Sequence, residues 1–188
     1  MNKPKLIVIT GLPGSGKTTV AKFVSSKLSM PLIEKDMIKE LLFNSLGWSD
    51  REWSKKLGAA TYELMYYFIE QQLSNGYSLI IESNFKPEFD SLKFQQWKDT
   101  YNCDIIQIVL HADSDVLYNR FMARAKSGER HPGHADVDNE NEWKEFFSDP
   151  KNTTRPIEVD SKIKKVDTSD LSKVNLKEIV DYIAQAIA

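Results

Sequence analysis

The sequence predicts an α/β protein built on a doubly wound, parallel sheet of about five strands. Strand patterns and helical patterns alternate from end to end, the signature of a parallel sheet wrapped by helices. A glycine-rich loop joins the first strand to the first helix in the register of a phosphate-binding loop. The 188 residues suffice for one domain, 1–188, with a substantial core.

The elements follow in order. Leu6–Thr10 is an apolar, β-branched strand, and after the glycine loop Val20, Ala21, Phe23, Val24 and Leu28 form one stripe of a helix ending near Ser29. A short strand, Pro31–Glu34, precedes a helix opened by Asp36 and carried by Met37, Ile38, Leu41 and Leu42. The longest helix lies between Trp48 and Asn75, with Leu57, Thr61, Leu64, Met65, Phe68 and Leu73 at helical spacing and Asn75-Gly76 as its stop. Ser78–Glu82 is a continuous apolar strand ending in a carboxylate. A helix through Leu92, Gln96 and Trp97 leads to strand four, Ile105–Leu110. Asp113–Ala125 reads as a helix, and a short helix surrounds Trp143–Phe147. The last strand falls near Lys162–Val166, and the last helix runs through Val174, Ile179, Val180, Ile183 and Ile187. Residues 126–157 are too polar for core and too long for a plain turn, which marks functional or mobile chain. A lid segment over about 124–157 is expected.

Composition narrows the function. Hydrophobic content of 41% and charged content of 28% belong to an ordinary globular protein, and a net charge of −2 supplies no overall field for nucleic acid or acidic membranes. Cys103, the only cysteine, excludes an intramolecular disulfide and reads as a buried small hydrophobe. No stretch approaches the length of a membrane span, and Met1–Lys5 leads straight into strand one, so no signal sequence is expected and the cytoplasm is the expected setting. His131 and His134, in His-Pro-Gly-His, lack companion ligands at metal spacing and point to phosphate or substrate contact instead.

The chemistry concentrates in Gly11-Leu12-Pro13-Gly14-Ser15-Gly16-Lys17-Thr18, a full match to G-x-x-x-x-G-K-[ST] between strand and helix, with Thr19 adjoining. Glycines let successive N–H groups turn toward a β-phosphate at a helix N-terminus. Lys17 would neutralise β- and γ-phosphate oxygens, and the Thr18 hydroxyl would ligate Mg²⁺. A nucleoside triphosphate is the expected ligand.

Ligands of open parallel sheets gather at the carboxyl ends of the strands, so residues there are the remaining candidates. Asp36 is either the N-cap of its helix or a general base for an attacking hydroxyl. Lys39, one turn on, shares its face and could hold an anionic group of the acceptor. Glu82 is placed to hold Mg²⁺ through water, and Asn84 to touch the acceptor or merely to turn the chain. Arg120, Arg124 and Arg130, with Lys126, form the densest basic cluster. Arg124 and Arg130 are expected to close over the transferred phosphoryl group, and Arg120 to pack near the adenine.

Gly11–Thr18, the Asp36-x-x-Lys39 pair, the strand end Leu79-Ile80-Ile81-Glu82-Ser83-Asn84 and the segment Gly128-Glu129-Arg130-His131 together resemble the small P-loop kinases. That group includes polynucleotide kinase domains, chloramphenicol phosphotransferase-like proteins, gluconate kinases and zeta-toxin-like enzymes. The resemblance implies the P-loop NTPase fold with strand order 2-3-1-4-5, and ATP with Mg²⁺ as cofactors. In polynucleotide kinases an Asp after strand two is the general base and an Arg three residues later contacts the acceptor phosphate. Asp36 matches the first, whereas Lys39 stands at the second and offers a point charge in place of a fork. Glu82 replaces the Asp of their acid-x-Asn, and their lid arginines carry over to Arg120, Arg124 and Arg130. The resulting expectation is a kinase that moves the γ-phosphate of ATP to a hydroxyl of a small molecule or nucleotide. A nucleic-acid 5′-hydroxyl kinase is disfavoured by net charge and by Lys39. A GTPase switch would need Asn-Lys-x-Asp, which is missing, and an AAA+ machine a strand ending in Asp-Glu, whereas strand three ends Glu82-Ser83.

Overall fold

Leu6 to Ile9 and Leu79 to Ile81 are sealed from solvent on both sides of the sheet they build, because helices cover both faces. The computed structural model describes residues 3–187. Its strands are β1 (Lys5–Gly11), β2 (Leu32–Glu34), β3 (Leu79–Ser83), β4 (Asp104–His111) and β5 (Lys162–Asp167). They form one sheet in the order β2-β3-β1-β4-β5, every pairing parallel, the order that the kinase resemblance implied. The helices are α1 (Lys17–Leu28), α2 (Lys35–Leu46), α3 (Arg51–Ser74), α4 (Pro87–Tyr101), α5 (Ser114–Lys126), α6 (Glu140–Ser148) and α7 (Leu176–Ile187).

Strand residues alternate between two cores, as a two-residue side-chain period requires. Leu6, Val8, Leu79 and Ile81 pack with Met65 and Ile69 of α3 and with Phe94 and Trp97 of α4. Ile7, Ile9, Ile80 and Ile108 face α1 and α7 through Val20, Val24, Ile179 and Ile183. A smaller cluster of Leu12, Leu117, Phe121, Met122 and Phe147 seats α5 and α6 beside the glycine loop. Cys103 is completely buried, and no helix of the described residues is long and apolar enough to cross a membrane.

Three expectations need correction. The α2 helix begins at Lys35, with Glu34 in the cap position. Asp36 therefore lies inside the first turn and caps nothing. On α3 the buried stripe runs through Ser54, Leu57, Thr61, Met65, Ile69 and Leu73, and Leu64 and Phe68 are 37% and 47% exposed. Steps of three and four residues can be laid through either set; packing on β1 and β3 selects the one containing Ile69. Third, residues 126–157 are not all too polar for burial: Gly133, His134, Ala135 and Asp136 are buried. A Cβ on Gly133 would stand 2.7 Å from the Phe43 ring, so glycine lets this segment lie flat on α2. Burial is tolerated because Arg130 pairs with Asp136 Oδ2 and His134, and His134 with Glu40.

Candidate active site

The glycine loop is shaped by positions only glycine fills easily. Gly14 and Gly16 have φ of +83° and +85°, the left-handed region that other side chains resist. A Cβ on Gly14 would also come 2.6 Å from the Leu117 carbonyl oxygen of α5. The Ser15 hydroxyl is buried without a partner among the described residues. Leu12 N–H donates to Thr154 Oγ1 at 3.2 Å, which ties the loop to the chain entering β5. Lys17 donates to the Leu12 carbonyl at 3.2 Å and lies 3.8 Å from Glu82. Burial pushes the Lys17 ammonium below its ordinary pKa, while the charges of Glu82 and Asp36 oppose the change.

Parallel pairing of β1 with β3 sets Ile9 opposite Glu82, and this brings the carboxylate to the loop. Thr18 Oγ1 donates to Glu82 Oε2 at 3.3 Å. Burial raises the Glu82 pKa against the pull of Lys17. A hydroxyl and a carboxylate are the hard oxygen donors that suit Mg²⁺. No cluster of three His, Cys, Asp or Glu metal ligands occurs among the described residues. The glycine cradle and the Thr18–Glu82 pair thus fit a Mg²⁺-bound triphosphate.

Across the cavity stands a charged network. Arg130 Nη1 donates to Asp36 Oδ2 at 3.0 Å, its Nε to Asp136 Oδ2, and its Nη2 to His134 Nδ1 at 3.1 Å. A guanidinium only donates, so His134 Nδ1 accepts and the ring proton resides on Nε2, which donates to Glu40 Oε1 at 3.0 Å. Burial and the Arg130 charge push the imidazole down to about 2, which keeps His134 neutral. Burial opposes ionisation of Asp36, but Lys35, 3.0 Å away, and Arg130 outweigh it and hold the carboxyl well below the usual range. Among the described residues Arg124 has no partner for its buried Nε, and its pKa is lowered first by burial and then by Arg130.

One cavity of about 760 Å³ is lined by Lys17, Thr18, Asp36, Glu82, Arg124 and Arg130, with Pro13 and Asn84 also on its wall. The two arginines of the expected lid already lie on the cavity. Two expected residues do not. Lys39 is 6% exposed and donates to Ser54 Oγ at 2.8 Å. Its amine is pushed down to about 7 by burial and then by the Lys35 charge. It faces α3 because the first turns of α2 are covered there, so it does not share the direction of Asp36. Arg120 donates to the carbonyls of Thr168 and Ser169 at 2.6 and 2.8 Å and so braces the chain that follows β5. His131 stacks on Phe43 with ring centroids 5.1 Å apart and fastens the segment to α2.

Lys35, which follows strand two, also lines the cavity, and the sequence reading missed Tyr62, Tyr66, Lys86, Phe89 and Phe146 there. Tyr62 and Tyr66 are four residues apart on α3, and a second aromatic stripe beside the core stripe was the available signal.

Residues 6–150 match the family model AAA_33, an AAA domain. The chain belongs to this family. The matched stretch runs from β1 through α6 and contains every wall of the cavity. A protein from Chloroflexus aurantiacus J-10-fl, provisionally named a kinase, is 35% identical and superposes with a TM-score of 0.91 over 98% of this chain and 99% of that one. A cytidylate kinase from Sulfolobus acidocaldarius is 39% identical over 128 residues, 63% of this chain and 60% of that protein. The chain thus spans less than two thirds of this curated relative. The Mycobacterium tuberculosis APS kinase CysC, solved with AMPPNP and APS, shares the fold at a TM-score of 0.58 and 15% identity, over 100% of this chain and 99% of that one. This AAA_33 member thus has the fold of the small P-loop kinases and belongs with that family, a group that works with ATP and Mg²⁺.

Proposed function

We propose that the protein transfers the γ-phosphate of ATP to a hydroxyl group of a small molecule. The observation that carries the reading is that Asp36 lines the same cavity as the loop lysine Lys17 and two arginines. The acceptor O–H proton passes to the Asp36 carboxylate as the acceptor oxygen bonds to the γ-phosphorus. The bond to the β–γ bridging oxygen breaks, and ADP departs. A carboxylate held ionised by Lys35 and Arg130 is a weak base. A loose phosphoryl transition state asks little more, because the proton leaves late. Arg124 and Arg130 bring cations to the charge spread over the transferred group, and Lys17 meets the β- and γ-oxygens. Thr18 and Glu82 would hold Mg²⁺, which supplies charge neutralisation on those oxygens.

A second reading, transfer to the phosphate of a nucleoside monophosphate, is favoured by the 39% identity to a cytidylate kinase. A phosphate acceptor needs no base, so the two readings differ in the role of Asp36. The test is transfer of label from γ-labelled ATP to a panel of hydroxylated metabolites, nucleosides and nucleoside monophosphates, followed by hot acid. A phosphomonoester survives the acid and supports the first reading. An acid-labile phosphoanhydride supports the second, and label released only as phosphate refutes both.

A further inference from the structure

We propose that the acceptor is carried on a flat unsaturated ring that lodges among aromatic side chains at the far end of the cavity, and is not a polyol or an open-chain sugar acid. The inference rests on the kinase reading for which end of the cavity holds phosphate, but not on whether a hydroxyl or a phosphate accepts.

Three separate helices turn rings into one wall. Tyr62 and Tyr66 come from α3, Phe89 from α4, and Trp143 and Phe146 from α6. Phe89 is 79% exposed and adds its ring to the patch that Tyr62, Tyr66, Trp143 and Phe146 form on the cavity wall. The tyrosine hydroxyls among these rings are already engaged, whereas Trp143 Nε1 is buried without a partner among the described residues. The Tyr62 hydroxyl is 2.9 Å from Ser83 Oγ, Tyr66 O–H donates to Asp90, and the other Asp90 oxygen accepts the Lys86 backbone N–H at 2.6 Å. Of the charged groups, Lys35 lies 5.8 Å from the centroid of the Tyr62 ring and Lys86 5.7 Å from that of Phe146. Glu63 stands at the rim. What this end presents is ring surface. A polyol entering it would find few partners for its many hydroxyls, mainly Trp143 Nε1, Asn84, Lys86 and Glu63, which weakens binding. A flat ring offers stacked or edge contacts to each wall and needs few hydrogen bonds. At about 760 Å³ the cavity is in the range of small-molecule sites, with room for a ring beyond the phosphates.

The experiment uses the whole protein with AMP-PNP and Mg²⁺, titrated calorimetrically with cytidine, CMP and 2-phenylethanol as ring compounds and with ribitol and gluconate as polyols. At least one ring compound is expected to bind about tenfold more tightly than either polyol. Tightest binding by cytidine or CMP assigns the ring as a nucleobase, and by 2-phenylethanol as an aryl group. Phe89→Ala, at an exposed position that the fold does not need, is expected to weaken that compound about three- to tenfold without changing AMP-PNP affinity, and Phe89→Tyr to restore it. The proposal is overturned if a polyol binds as tightly as the best ring compound, if no ring compound binds, or if Phe89→Ala leaves ring affinity unchanged. Its failure is separable from that of the kinase reading. Ring compounds that bind while label from ATP is released only as phosphate across the whole acceptor panel refute the kinase and keep the ring site, whereas label transferred to ribitol or gluconate does the reverse.

Discussion

At the phosphate end of the cavity, eight consecutive residues from Gly11 to Thr18 supply most of what meets a triphosphate, and β3 adds Glu82 by pairing with β1. At the acceptor end the walls come from α3, α4 and α6, helices that touch only because the chain has folded. The first end is a local backbone shape and tolerates almost no substitution. The second is a set of side chains on helices and can be rebuilt without disturbing the sheet. On the proposed reading, phosphate chemistry is written in a motif, whereas acceptor choice is distributed over the helices α3, α4 and α6.

The contrast predicts the largest effect at the phosphate end. Lys17→Ala should lower phosphoryl transfer by roughly 10⁴-fold, since positioning and charge carry this chemistry. It should weaken ATP while leaving adenosine affinity unchanged, as calorimetry can determine. Unchanged ATP affinity in a folded variant would show that the loop is not the phosphate site. Next in size is Asp36→Asn, which keeps the shape and removes the base. Turnover with a hydroxyl acceptor should fall about 10²–10³-fold, with ATP affinity little altered. Near-normal turnover would move the protein to the phosphate-acceptor reading, where no base is required. Glu82→Gln should be milder and should raise the Mg²⁺ needed for half-maximal activity about tenfold, read from a Mg²⁺ titration of the initial rate. A superimposable titration would remove Glu82 from the metal site.

Particular residues show why the two ends differed in legibility. Apolar runs and the glycine loop are local, so β1, β3, β4 and the P-loop could be read to within a residue. The strand order entered only through family resemblance. Asp36 could be placed at the cavity mouth because it follows β2 directly. Lys39 could not, since a helix residue three positions on faces wherever packing turns it, and here α3 takes that face. The Arg130–His134–Glu40 chain joins residues 94 apart and left no pattern beyond a suspicious His-Pro-Gly-His. Aromatic walls were hidden for the opposite reason: rings on helices read as core, and only the fold distinguishes Phe94, which is fully buried, from Phe89, which is not.

The smallest expected effect separates the half-buried Lys17 from the buried Lys39. Lys17 is pushed down by burial but has Glu82 and Asp36 to favour its charge. Lys39 is pushed to about 7, first by burial and then by Lys35, with Arg51 and Arg130 adding to the effect against Asp36. Its ordinary pKa is 10.5. Between the two values the unfolded chain binds the proton and the folded protein does not, so stability rises with pH across that window. Below about 7 both states are protonated and the fold bears the whole penalty of the buried charge; above 10.5 the penalty is gone. The slope due to this one group is at most about 1.4 kcal/mol per pH unit. Lys39→Met removes the titration and nearly preserves the volume. Urea unfolding at pH 7 and pH 9 should therefore show a smaller gain in stability with pH for the variant than for the wild type. Its transfer rate and its acceptor KM at pH 7 should be unchanged, because the amine is turned to Ser54 and away from the cavity. An equal pH dependence would show that Lys39 titrates normally. A raised acceptor KM would place it at the acceptor after all and erase the distinction between the lysine that serves the phosphates and the one that α3 covers.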